Sequence, residues 1–147
     1  MKAKSLLRTA SAAALLQFAA HTFLFVNASP KHGAEERAVV DAMKSHAFDF
    51  GGSVRSYWDF YWGYGLESAF VCLVEAMLFW QLASFVDSSP RLVRQIAALF
   101  LLANLGHIVL VSNYFFRIPV IPDAVIAACL IATLLTVATT SPRVVNK

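Results

Sequence analysis

The sequence predicts an all-α membrane protein, a four-transmembrane-helix antiparallel bundle with an extracytoplasmic amphipathic loop helix between spans 1 and 2. Composition is the first ground: hydrophobic residues fill 59% of the 147 positions and charged ones 14%, proportions far from those of soluble domains. Mean hydropathy of +0.63 agrees. The second ground is length. A helix needs about 20 apolar residues to cross roughly 30 Å of hydrocarbon, and runs of that order occur at residues 6–26, 62–86, 92–116 and 124–140. The third is that the connections between the later runs are short, as in hairpins of neighbouring helices. One integral membrane domain over residues 1–147 follows.

The first run is preceded by Lys2, Lys4 and Arg8, the layout of a signal peptide, and Val26-Asn27-Ala28 offers a small-residue cleavage pattern. Its apolar stretch exceeds the usual signal core of about 7–15 residues and carries Gln17 and His21, so it is expected to stay as the first span. Pro30 and Gly33 break the chain after it. Over residues 34–50, Val39, Met43, Ala47 and Phe50 recur at helical steps while Arg37, Asp41 and Lys44 fall on another face. That spacing predicts an amphipathic helix on the membrane surface or across the bundle mouth. Gly51-Gly52 ends it, and a helix is expected to restart at Ser53 as N-cap and run into the second span. Ser89 and Pro90 supply an N-cap and first helical position for the third span. Residues 118–123, with Pro119 and Pro122, read as a stiff turn. The fourth span then holds no ionisable residue, and Ser141-Pro142 stops it.

Lysine and arginine near the span ends set the orientation. Lys2, Lys4, Arg8, Arg91, Arg94, Arg143 and Lys147 fall on one side, against Lys31, Arg37, Lys44, Arg55 and Arg117 on the other. Both termini are therefore expected in the cytoplasm. A net charge of +3, scattered around the helix ends, excludes the basic stripe of a nucleic-acid-binding protein. Cys72 and Cys129 lie within spans and form no Cys-x-x-Cys pair, so neither a disulfide framework nor a thiol oxidoreductase is indicated.

Two groups of residues invite a functional reading. The segment from Phe48 to Glu67 crowds aromatic rings, Asp49, Arg55, Asp59 and Glu67 into the entry of the second span. Tyr and Trp are ordinary interface anchors, but the charged residues are not, and Asp49, Arg55, Trp58, Asp59 and Tyr61 form a candidate mouth. Arg55 and Asp59 are spaced to pair. The second group is the set of polar residues inside the spans, His21, Glu67, Glu75, Asn104 and His107, a candidate cavity. A charge at mid-bilayer costs about 2.5–3.5 kcal/mol even on the mildest scale, so such residues face a bundle interior. Glu67 and Glu75, eight residues apart, lie about 80° apart around one helix. Glu75 is expected to be neutral and hydrogen-bonded to Asn104 or His107. Interhelical hydrogen bonding alone accounts for each residue taken singly. No short His-x-x-His or Glu-x-x-His pair points to a metal.

The run Arg55-Ser56-Tyr57-Trp58-Asp59-Phe60-Tyr61, with Phe48-Asp49, Gly52, Gly63-Tyr64-Gly65-Leu66 and His21-Thr22, resembles the signature of an uncharacterised family of small bacterial four-helix membrane proteins. Ala20 and Tyr64 stand where that family tends to have glycine and phenylalanine. The resemblance covers nearly the whole chain and implies a bacterial multipass inner-membrane protein; it implies no activity.

Three functions are compatible with these residues. A small amphiphile such as a lipid, quinone or isoprenoid would place its polar end against the cavity beneath the aromatic mouth. An enzyme would use Glu67 or Glu75 with His21 or His107 as an acid–base pair on a lipid-soluble substrate. Proton movement would use the same groups, but a fourth span without an ionisable residue argues against a complete path.

Overall fold

The computed structural model describes residues 2–138, and the expected helix stop at Ser141-Pro142 lies outside them. Five helices and one hairpin follow in order: α1 Lys2–Val26, α2 Ala34–Ser45, β1 Ala47–Phe50, β2 Ser53–Ser56, α3 Tyr57–Ser84, α4 Pro90–Tyr114 and α5 Val120–Ala138. Helices α1, α3, α4 and α5 are long and apolar enough to cross a membrane, which is compatible with a multipass membrane protein. The bounds shift from the sequence reading by up to five residues, and two of the shifts bear on the site. Helix α3 begins five residues before position 62, and α5 begins at Val120, so the proline-bearing stretch supplies its first turn. Pro122 is tolerated there because first-turn N–H groups have no intrahelical acceptor to lose.

The expected helix over residues 34–50 is corrected. It ends at Ser45, and Ala47–Phe50 pairs antiparallel with Ser53–Ser56, Phe50 opposite Ser53 and Phe48 opposite Arg55. The cause is the Gly51-Gly52 turn. Both glycines have positive φ, 61° and 83°, the requirement of a two-residue type I′ turn whose twist matches the strands. Asp49 closes it by accepting the Gly52 N–H at 2.9 Å. The N-cap of α3 moves accordingly from Ser53 to Ser56. Asp59 N–H donates to Ser56 Oγ at 3.2 Å, and Ser56 N–H donates to Asp59 Oδ2 at 2.7 Å, a reciprocal capping box.

Among the described residues, 2–17 with 72–138 form one compact unit and Phe18–Val71 another. The first has a core drawn from all four long helices: Leu7, Ala10 and Ala14 of α1, Phe79 and Ala83 of α3, Val93 and Ala97 of α4, and Ile126 and Leu130 of α5. Alanines let backbones approach closely where hydrocarbon solvent gives helices no hydrophobic reason to associate. Ser11 Oγ donates to the Ala76 carbonyl at 2.6 Å across α1 and α3. In the second unit, rings do the packing. Phe25 lies against Tyr61 and Trp62 at centroid distances of 5.4 and 4.8 Å. Phe48 and Phe50 lie against Phe60 at 6.2 and 5.6 Å.

Candidate functional site

In the first unit the polar centre is Asp123, in the first turn of α5 and only 2% exposed. Gln17 of α1 donates from Nε2 to Asp123 Oδ1 at 3.1 Å, and His107 Nδ1 of α4 lies 3.1 Å from Oδ2. The arrangement gives one buried acid a partner on each oxygen, which is what burial of a polar group demands. It also fixes the imidazole of His107, whose side chain is 48% exposed and whose Nε2 makes no hydrogen bond to any described residue.

Asn104 lies one turn before His107 on α4, at a spacing that shares a helix face. It is 6% exposed, and its Oδ1 has no hydrogen-bond partner among the described residues. Glu75 is half-buried and close enough to interact electrostatically with His107 and Asp123. The expected hydrogen bond from Glu75 to Asn104 or His107 is not formed, because Asp123 engages the imidazole instead. The sequence reading that left the fourth span without an ionisable residue is corrected by the same carboxylate. An open groove of about 710 Å³, lined by Ser112, Arg117, Val120, Ile121, Ala124, Val125 and Ala128, includes none of these polar residues.

In the second unit His21 Nε2 lies 2.9 Å from the Gly65 carbonyl, and its ring stacks on Phe25 at 5.7 Å and 6°. A Cβ on Gly65 would collide with the Phe25 ring, so glycine at this position is what permits the helix to meet that ring. Glu67 is exposed and hydrogen-bonds to no described residue. The expected ion pair of Arg55 with Asp59 or Asp49 is also corrected. Arg55 Nη1 donates to the Val54 carbonyl at 2.7 Å, Asp49 is used by the hairpin turn and Asp59 by the helix cap. Trp58 is covered by the Lys44 ammonium, 4.4 Å from the ring centroid, and packs on Tyr61 at 5.2 Å. Trp58, Asp59, Trp62 and Gly63 line an open cleft of about 300 Å³.

No family model, curated protein or solved structure matches the chain. The chemistry therefore rests on its own geometry. Sequence reasoning singled out His107, Asn104 and Gln17 as polar residues within the spans but missed Asp123, the acid that joins His107 to Gln17. The signal for Asp123 was an acid directly after Pro122 at the head of an apolar run, the pattern of a helix first turn.

Proposed function

We propose that this is a multipass inner-membrane protein that binds a small amphiphile, a lipid, quinone or isoprenoid, by its polar end at His107. The observation that carries this reading is the buried Asp123, held by Gln17 and in turn holding His107 with one ring nitrogen unengaged. Such a histidine is oriented to meet a hydroxyl or carbonyl. The unsatisfied Asn104 Oδ1 one turn away adds an acceptor for a hydroxyl. Purified protein should carry an amphiphile enriched over bulk lipid by mass spectrometry, and His107→Leu should lose it. Equal lipid profiles for wild type and variant would remove the proposal.

A second reading, an enzyme acting on a lipid-soluble substrate, is favoured by the pairing of His107 with a carboxylate, which holds an imidazole in one tautomer for proton transfer. Under it, Asp123→Asn retains the amphiphile and loses turnover. The proposed topology has antiparallel spans, both termini in the cytoplasm, and α2 with the hairpin on the extracytoplasmic side, following the lysine and arginine distribution. Cytoplasmic and periplasmic reporters fused to the C-terminus distinguish it from the inverse. The resemblance of the Arg55–Tyr61 run supports membership of the small bacterial four-helix family.

A further inference from the structure

The entry of α3 holds a second arrangement, wholly within Phe18–Val71 and independent of the His107 reading. Trp58 and Trp62, one turn apart, stack at 5.9 Å and 24°. Beside them on the helix run Asp59, Gly63 and Glu67, again at intervals of one turn. Gly63 has open space where a side chain would stand, so the row reads acid, gap, acid, with an aromatic wall alongside. The gap is part of the cleft of about 300 Å³ lined by Trp58, Asp59, Trp62 and Gly63. Helical side chains lean toward the N-terminus, which inclines Glu67 toward the gap.

Both acids keep oxygens that bond to no described residue. Asp59 spends Oδ2 on the Ser56 cap and leaves Oδ1 without a hydrogen bond, and Glu67 has no hydrogen-bond partner among the described residues. Arg55 interacts with Asp59 only electrostatically and gives its hydrogen bond to Val54. Ring faces attract cations through their quadrupoles, and here one cation already sits on the wall, the Lys44 ammonium over Trp58.

We propose that this cleft, walled by Trp58 and Trp62, floored by Gly63 and flanked by the carboxylates of Asp59 and Glu67, binds the ammonium group of an organic cation. Lys44 is its internal competitor, occupying one aromatic face when the cleft is empty. An alkylammonium fits better than a metal ion, because two turns of helix separate the acids by about 12 Å along the axis, too far to coordinate one ion together. A quaternary or primary ammonium spreads its charge over a larger volume and gains from the rings.

The test titrates the full chain in a neutral detergent with choline and with its uncharged isostere, in which carbon replaces nitrogen, reading tryptophan fluorescence. Choline should give a saturable change and the isostere none. Removing the competitor with Lys44→Met should tighten choline binding by about threefold or more, the scale of one exposed cation–π contact. Gly63→Leu, which fills open space, should abolish the response with helicity by circular dichroism unchanged, and Trp80→Phe should leave it intact. Equal responses to choline and isostere, unchanged or weaker binding in Lys44→Met, or a response that survives Gly63→Leu would each overturn the proposal. Nanodiscs then identify the source. If the cation is a lipid headgroup, phosphatidylcholine blocks the choline response and phosphatidylglycerol does not; if it is a soluble amine, both give it; a response in neither contradicts the site.

Discussion

The core formed by residues 2–17 and 72–138 is made largely of alanine, leucine and valine, with Phe79 its largest side chain, and of the acids in that unit Asp123 is hidden. The unit Phe18–Val71 is held by rings, carries its acids at the surface, and includes a hairpin whose Phe50 and Val54 are both 65% exposed. The difference shows two ways of meeting a bilayer. Small residues bring helices close enough for interhelical hydrogen bonds such as Ser11 to Ala76. Rings with polar tips suit the interface, where one end of a side chain is dry and the other wet. The fully buried acid in the first setting is satisfied by protein, as Asp123 is, whereas in the second Glu67 is exposed and hydrogen-bonds to no described residue.

Cavities break the comparison most sharply. Phe79, 1% exposed, should cost about 3 kcal/mol or more when changed to alanine, read as unfolding in mixed micelles. Phe50→Ala in the hairpin should stay below about 1 kcal/mol, the range of a single cross-strand or ring contact. Similar losses for both would mean that the two regions are not packed differently.

Within the aromatic unit, two glycines sharpen the point. Gly65→Ala drives a methyl into Phe25, a ring wedged against Tyr61 and Trp62, and should cost about 1–3 kcal/mol as overpacking does. Gly63→Ala meets open space and should be neutral or stabilise by up to about 1 kcal/mol through helix propensity. Thermal melts of the two variants should move in opposite directions. Ser56→Ala, which opens the cap of α3, should cost about 1 kcal/mol, with Asp59→Asn milder because an amide oxygen still accepts.

The smallest effect is electrostatic and lies at the start of α2. Glu36 accepts the backbone N–H of His32 at 2.6 Å and that of Lys31, and its carboxylate lies 3.2 Å from His32 Nδ1. The His32 N–H first, then its ring, holds the Glu36 carboxyl below the usual carboxylate value. A lowered folded pKa means that the ionised form is favoured by folding. Its contribution is therefore complete above the unfolded pKa and fades as pH falls through the lower folded one. Amide exchange at Lys31 and His32 should accelerate over that acid range in wild type and lose its pH step in Glu36→Gln.

The spans were legible because apolar length is a one-dimensional property, and the Ser89-Pro90 start of α4 because within a helix proline is at home only in the first turn and a serine precedes it. The hairpin was misread as helix, although its signal stands in Phe-Asp-Phe-Gly-Gly-Ser-Val-Arg, where alternating runs flank a two-glycine turn. A helical spacing of Val39, Met43, Ala47 and Phe50 competed with that signal and fails after Ser45. Asp123 was hidden by its prolines, which suggest a loop as readily as a helix start. Pairing across helices is a different matter. Glu75, Asn104, His107 and Asp123 are all within reach of a plausible scheme on the sequence, and only their angular positions decide that His107 meets the aspartate.

The central claim is that Asp123 and His107 act as a coupled pair inside the apolar helices. A double-mutant cycle measures this most directly, using Asp123→Asn, His107→Leu and the combination, with unfolding free energies in mixed micelles. The account predicts that the two changes interact by about 1 kcal/mol, the scale of interhelical hydrogen bonds in membranes. Strictly additive losses would contradict it.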